Sequence, residues 1–536
     1  MLIPAWPQLL LLTLLQSGGD QQRAPEAWKS LPLPSLAVAP SNAPALPRLL
    51  SGRHVVLPGD DPQPDWSSSS ASLPIPQLLE VLQEDAASRK QVLRMQPQAP
   101  PLLARAEASV LAAAQSLIEG LDQQGAALDI AVSAWLTPGA SQAGTHAALA
   151  AVEKAVAAAQ PLGAATLRSG AEVVFGSRSA QSFLAGYTVE IAAGSGVAAP
   201  ALGSVLTGRT LHLRASRVRD GAAVALEGFL DLAELSELKD FEPGTADLGR
   251  LQQPRVTTLQ VAFAGIVEPE TGLCVSIAGA PLAQPDWTLW ILARPLASSQ
   301  AAPSSWRARD VAFFSEPVLE LPLPRPGSVL EPLLGPQRDL ATLAQPMGPA
   351  EVAQAADAAR SGRSRTPIVW GRGLVLAPVA EAALWGEIEG LIAAAEAEHL
   401  RESEIEIAQG QLRVRLPLLG NRSARLLAAE ERALVSGYDL QVAQDTWMPH
   451  PQVHCTLDGL LVQGRAVGGR FEGTAWRSAS SELVELERKD TGIARLQLET
   501  RGLESAALSV GSGASVAPLP AASGSAELAL AFGPPR

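Results

Sequence analysis

Cysteine is nearly missing from this chain. Cys274 and Cys455 are the whole complement of 536 residues, so no disulfide framework can organise the fold. One bridge between them stays open, because sequence does not supply a Cα separation. Aromatic side chains make up 4% of the residues, which argues against the paired aromatic girdles of a membrane-spanning barrel. Basic residues never cluster, and the net charge is −13; broad capture of nucleic-acid phosphates or anionic lipid depends on massed Lys and Arg and is excluded. Long apolar runs are missing too: Leu9 to Leu15 (LLLLTLL) falls far short of the ~20 residues a spanning helix requires. Also absent are Gly-x-x-x-x-Gly-Lys-Ser/Thr, His-Glu-x-x-His, Gly-x-Ser-x-Gly and Cys-x-x-Cys, each a specific sign of enzyme or redox chemistry. The reading is non-enzymatic, with no catalytic, cofactor-binding or metal-ligating residue assigned and no cofactor expected.

What is present is a globular balance, 47% hydrophobic and 18% charged, with length for roughly three or four domains at ~150 residues each. The Leu9 to Leu15 run, followed by Ser17, Gly18 and Gly19, reads as a secretory signal peptide over residues 1–19. Residues 20–75 are rich in Pro, Ser and Ala and read as a linker or loosely packed arm. From Ile75 the texture changes. Helical spacing at Leu78, Leu79, Val81 and Leu82, a short strand at Val92 to Met95, a helix from Leu103 to Leu121 and a strand from Leu128 to Trp135 predict a compact α+β module. An Ala-rich helix over Ala147 to Ala159 follows. Then come short β runs, Glu172 to Phe175, Phe183 to Ala192, Thr210 to Arg214, Ala223 to Leu232, Thr257 to Val267 and Leu273 to Ala278, separated by Gly and Pro.

The only two tyrosines stand in matching phrases, Gly186-Tyr187-Thr188-Val189-Glu190-Ile191-Ala192 and Gly437-Tyr438-Asp439-Leu440-Gln441-Val442-Ala443, 251 positions apart (438 − 187). Without a gap, Pro200 aligns with Pro451, Leu206 with Leu457, Gly208 with Gly459, Arg214-Ala215 with Arg465-Ala466, and Leu232, Glu234 and Leu235 with Leu483, Glu485 and Leu486. Ile388-Glu389-Gly390-Leu391 also echoes Ile118-Glu119-Gly120-Leu121. Self-similarity at a fixed spacing marks a repeated structural unit. The expected fold class is therefore α+β, in two tandem repeats, each a small α+β module followed by a β-rich core. Repeat A takes residues 76–298, a Pro-rich linker 299–365, a degenerate repeat B 366–515, and a low-complexity tail 516–536.

Several residues invite a chemical reading and decline it. His450, His454, Cys455 and Asp458 have zinc-like spacing, but Pro449 and Pro451 would spoil the helix that such spacing needs, so a strand or turn is expected. Glu234 and Glu485 lack a recurring His or second carboxylate to share a proton. Tyr187 and Tyr438 read as rigid packing aromatics with a hydroxyl handle, and Arg214 and Arg465 as partners of carboxylates on neighbouring strands or subunits.

In order, these parts resemble the bacterial secretin family of type II and type III secretion systems. The resemblance rests on Leu117-Ile118-Glu119-Gly120-Leu121-Asp122, the strand Tyr187-Thr188-Val189-Glu190-Ile191-Ala192, Pro200, Gly208, the hairpin Leu211 to Arg214, Asp220-Gly221 and Val224 to Leu226, and the closing strands around Pro269-Glu270-Thr271-Gly272. On this resemblance the secretin-like core is duplicated. What the resemblance implies is an exported protein of the periplasm or outer membrane that assembles by self-association or with other envelope and secretion proteins. It would form or support a protein secretion channel, without nucleic acid or a small-molecule cofactor. A soluble periplasmic scaffold or binding protein that keeps the fold without a pore is the alternative.

Overall fold

The computed structural model describes residues 27–32, 54–58, 75–96, 102–139, 144–192, 195–243, 249–296, 305–314, 369–371, 374–380, 382–420, 422–443, 446–487, 495–517 and 527–535. The expected signal peptide and the Pro317 to Pro332 bridge lie outside the described residues.

Strands dominate. Among the described residues, eight strands of the first half make the body of the two large sheets: β1 Asp129–Pro138, β2 Pro161–Arg168, β3 Ala171–Ala192, β4 Ser195–Val218, β5 Ala223–Phe241, β6 Leu251–Val267, β7 Thr271–Ala278 and β8 Trp287–Pro295. Eight of the second half complete them: β9 Glu402–Gln409, β10 Leu412–Leu419, β11 Ser423–Ala443, β12 Thr446–Val467, β13 Arg470–Glu487, β14 Arg495–Val510, β15 Gly513–Ala517 and β16 Leu528–Gly533. Among the described residues four helices accompany them, α1 Ile75–Ser88, α2 Ala108–Ala126, α3 Leu149–Val156 and α4 Ala382–His399.

The long strands form one sheet in the order β3-β4-β5-β6-β11-β12-β13-β14, and the short ones a second sheet in the order β15-β16-β9-β10-β7-β8-β1-β2. Alternation dictates how they face. Along β1, Ile130, Val132, Ala134 and Leu136 point into the space between the sheets, while Trp135 points the other way into a cluster with Val152 and Trp290, as the two-residue period of a strand requires. They meet Leu226, Leu230 and Leu232 of β5, Leu259, Val261 and Phe263 of β6, and Leu426 and Val462 from the second half in one core between the sheets. Each Leu, Ile, Val or Phe among them, fully buried, contributes about 1.5–3 kcal/mol.

The other face of β5 and β6 is covered as well. Ala225, Ala264 and Ile266 pack against Trp385, Ile388 and Ile392 of α4 and Val256 packs with Val55 and Ala433, within a run buried from residue 256 to 267. The row Leu259, Val261 and Phe263, within the run read as a strand from Thr257 to Val267, faces protein. Strand Leu374–Pro378 sits between two helical layers: Leu374 and Leu376 join α1 and α2, while Val375 and Ala377 join α4.

Several expectations are corrected. The short β runs merge into strands of up to 24 residues, because their prolines fall where the strand has a partner on one side only: Pro200 opposite Tyr187, Pro254 opposite Leu238 and Pro451 opposite Tyr438. A missing N–H costs nothing on an open side. The helix expected from Leu103 begins at Ala108, since Leu102–Ala106 alternates and pairs as a strand with Ala27–Leu31. Within stretches expected as linker or tail, Ala27–Leu31, Val55–Val56, Trp306–Asp310 and Leu528–Gly533 are strands. Leu528, Leu530 and Phe532 repeat every second residue and bury that face beside β9. Cys274 and Cys455 are both free thiols, which closes the disulfide option.

The long hairpins share irregularities. The β3/β4 ladder slips at Ala185 and the β11/β12 ladder at Ser436, 251 positions on (436 − 185). The β5/β6 ladder slips at Ser236 and the β13/β14 ladder at Ser481, 245 positions on (481 − 236). The first-half turn Arg219 to Ala222 is two residues longer than the Gly468-Gly469 turn, and its strands run on by two residues each. The ungapped alignment therefore fails beyond the turn: Leu232, Glu234 and Leu235 do not occupy ladder positions equivalent to those of Leu483, Glu485 and Leu486. Gly468 and Gly469 both have positive φ, 56° and 77°, as a two-residue type I′ turn demands.

Candidate functional site: the seam between the halves

The halves are joined where β6 meets β11, from Arg255 opposite Arg432 to Ala262 opposite Arg425, and where β7 meets β10, Ser276 to Ala278 opposite Arg415 to Arg413. Beside the long-strand seam, among the described residues, lies a cluster of buried charge. Strands β5, β6 and β11 send apolar residues into the inter-sheet core, so alternate residues on the opposite face carry the polar groups: Asp231 between Leu230 and Leu232, Thr258 and Gln260 flanking Leu259, and Arg425 and Glu431 on β11.

A strap, residues 54–58, covers this face. Val55 and Val56 pair with Val205 and Ser204 of β4, and Leu206 N donates to His54 O at 2.8 Å. The His54 and Val55 amides both donate to Glu431 Oε2, at 2.7 and 3.3 Å. His54, 3% exposed, places Nδ1 3.1 Å from Leu206 O and Nε2 3.1 Å from Asp231 Oδ1 and 3.0 Å from Thr258 Oγ1. Arg178 from β3 donates to Asp231 Oδ2 at 2.7 Å.

Burial pulls the His54 pKa down, but the charge of and hydrogen bond to Asp231, with Glu431 behind, outweigh it and hold the pKa above its ordinary value. Burial likewise pushes Asp231 upward, and His54 and Arg178 more than reverse it. Burial lowers Arg425 to about 10, against the pull of Asp231. Both imidazole nitrogens are engaged and enclosed, so the cluster works as an ionic clamp of strap to seam. It has the geometry of a fastening, without a nucleophile beside a base at an open cavity.

A second buried pair braces the lower seam. Arg422 lies 3.2 Å from Glu227, stacks 4.6 Å over Phe313 and donates to the Phe313 carbonyl. Farther out, each slipped hairpin is capped alike. Leu184 N donates to Gln252 Oε1 at 3.0 Å, and Val435 N to Gln497 Oε1 at 3.3 Å; each bulge frees an amide from its ladder, and a side chain takes it up. Gln497 and Gln253 also bond each other across the halves.

The residues singled out from sequence fall as follows. His450, His454, Cys455 and Asp458 all lie on β12; at ~3.3 Å per residue the two histidines stand roughly 13 Å apart along the strand, too far to share an ion. Asp458 accepts from Ser480 N at 3.0 Å. Glu234 accepts from Ala283 N at 2.8 Å, whereas Glu485 faces Lys239 at 3.6 Å; they share no environment. Tyr187 and Tyr438 join one apolar cluster with Phe241, Leu251 and Val435. Tyr438 Oη donates to Arg495 O at 2.9 Å, and burial pushes its pKa up to about 12. Arg214 donates to Ala312 O at 2.6 Å and stands opposite Glu172 and Glu227 in the ladders. A half-open hollow of ≈ 310 Å³ is lined by Thr207, Arg209, Glu234, Leu282 and Trp287, with Arg209 stacked 4.4 Å over Trp287. Sequence reasoning missed the clamp: Asp231 inside an apolar strand was its one visible sign, and His54 lay in the expected linker.

No family model matches the chain, and no curated protein matches it. Among solved structures the chain is similar to the InvG secretin domain β-barrel from the Salmonella SPI-1 injectisome NC-base, at 12% identity over 53% of this chain and 91% of that one, TM-score 0.22. It is also similar to the Salmonella SPI-1 type III secretion injectisome secretin InvG, at 12% identity over 42% and 81%, TM-score 0.20.

Proposed function

We propose that the chain is a non-enzymatic, secretin-like envelope protein that is exported and assembles as part of, or in support of, a protein secretion channel. The observation that carries this reading is the two-layer β wall, whose core passes unbroken from one half to the other. Long hairpins zipped into one sheet, backed by a second, make a wall element, and the buried polar groups go to fastening it. We read the wall as two copies of one unit, supported by the paired bulges, the paired Gln caps and the tyrosine phrases. Among the described residues, three of the seven exposed large apolar side chains, Val197, Leu483 and Leu486, lie near hairpin ends, which supports contact of those ends with an outer membrane. The burial of Leu259, Val261 and Phe263 within the wall favours the second reading, a periplasmic scaffold without a pore.

Fractionation of native cells followed by negative-stain microscopy tests both. SDS-resistant rings in outer-membrane fractions are expected of the channel component. Soluble monomers or dimers would leave the scaffold, and a cytoplasmic protein would sink both.

A further inference from the structure

At three of the four slipped ladders a side chain takes up the amide just before the extra residue. Gln252 accepts from Leu184 N, Gln497 from Val435 N, and both oxygens of Asp458 from Ser480 N, at 3.0 and 3.1 Å. Leu235 holds that place at the fourth slip, before Ser236. Among the described residues no side-chain oxygen caps Leu235 N. An amide without an acceptor is a donor waiting for one.

Leu235 lines the half-open hollow of ≈ 310 Å³, and the hollow sits in a fork of the long-strand sheet. Strand β4 carries β3 along one side from Ser195 to Ala215. Its other side is therefore shared: β5 takes it as far as Gly208, opposite Ala233, and the strap takes Val205 and Ser204. The strands part at Gly208, which has a φ of 129° and where a Cβ would lie 2.3 Å from Ser177 O. Beyond the fork, from Glu234 to Phe241, the β4 side of β5 carries no ladder among the described residues. Leu232, Leu282 and Trp287 give the hollow buried apolar lining. That wall is preformed: Trp287 Nε1 donates to Gln284 O at 2.8 Å, and Gly279 N to Asp286 Oδ1 at 2.9 Å. Exposed Arg209 stacks 4.4 Å over Trp287 and has no carboxylate partner among the described residues. Glu234, the acid in the lining, has its Oε2 on Ala283 N.

We infer that the fork binds the C-terminal end of an extended polypeptide. Its carboxylate accepts from Leu235 N and pairs with Arg209. Its last side chain, apolar, rests against Leu232, Leu282 and Trp287, and the chain behind it leaves along the open side of β5. Capture of a terminal carboxylate by backbone amides and addition of a strand to a free edge are both recurring modes of peptide recognition, and the charge strengthens the hydrogen bond. A hollow at the low end of the usual ~300–1,000 Å³ suits a single anchoring residue. The second half makes the same bond internally. The slip offsets lead from Ser480 to Leu235 (480 − 245) and from Asp458 to Thr207 (458 − 251), and Thr207 lines the hollow. Where the second half has its own carboxylate, with Arg432 3.5 Å away, the first has a threonine, a free arginine and space. The inference goes beyond the envelope-assembly reading and does not depend on it.

Full-length protein titrated with N-terminally labelled Ala-Val-Leu, as the free acid and as the C-terminal amide, tests this by fluorescence polarisation, with hydrogen exchange at Leu235 as the local readout. The acid should bind and slow exchange at Leu235, and the amide should bind about 10- to 100-fold more weakly. Arg209→Ala, at an exposed position, should cost the acid a similar factor and leave the amide unchanged. Thr207→Asp supplies the carboxylate that the second half holds at Asp458, and should slow Leu235 exchange without peptide while abolishing binding of the acid. Isovaleric acid competing as well as the peptide acid would overturn the polypeptide occupant. Equal binding of acid and amide, a Kd above about 1 mM for the acid, or Leu235 exchange unchanged in the complex would overturn the site. None of these results bears on whether the chain assembles in an envelope.

Discussion

Replacing His54 by Ala probes the seam most directly. The substitution removes an imidazole enclosed by Asp231 on β5, Arg178 on β3, Thr258 and Gln260 on β6, and Arg425 and Glu431 on β11. Breaking one partner out of a buried ionic pair costs about 3–5 kcal/mol. Asp231 keeps Arg178 at 2.7 Å, which places the cost near the lower end, about 3 kcal/mol, or roughly 100-fold in an opening equilibrium. The strap should open before the sheet does. Its reporter is the Leu206 amide, bonded to the His54 carbonyl, read by native-state hydrogen exchange corrected for intrinsic rate.

The same clamp carries a pH dependence of fixed sign. His54 has a raised pKa in the fold, so its contribution is complete below the ordinary value of 6.5 and fades as pH rises through the folded value. Asp231 has a lowered pKa, so its contribution is complete above the ordinary 3.8 and fades as pH falls through the folded value. Protection at Leu206 should therefore be greatest between these values, fall at pH 9 in the native protein, and lose that fall in His54→Ala. Equal protection in both proteins at pH 5.5 would refute the clamp.

Three further outcomes are expected. Gln252→Ala and Gln497→Ala each orphan a bulge amide and should lower stability in urea melts by about 1–3 kcal/mol, Gln497→Ala the more because that side chain also bonds Gln253. Glu227→Gln leaves Arg422, whose pKa burial already lowers, buried without a countercharge, and should cost about 3–5 kcal/mol, against a small effect for Glu234→Gln at the surface. Phe532→Ala should cost about 3–5 kcal/mol by thermal unfolding, because the last described strand is part of the second sheet's core; an effect below about 1 kcal/mol would place that strand outside the cooperative fold.

Much of the local structure was legible from residue order alone. The runs Leu128 to Trp135 and Ala223 to Leu232 marked β1 and β5, and the Ala-rich run marked α3, because the alternation of side-chain direction along a strand and the turn of a helix are set by neighbours in sequence. The tail's Leu528, Leu530 and Phe532 carried the same signal, yet their short strand becomes meaningful only beside β9, more than a hundred residues away. Only the tertiary structure decided the long-range matters: that β6 pairs with β11, that the second hairpins shift by 245 rather than 251, and that His54 reaches Asp231 and Glu431. Charge burial depends on which distant strands share a face, and a chain read one residue at a time holds no record of that.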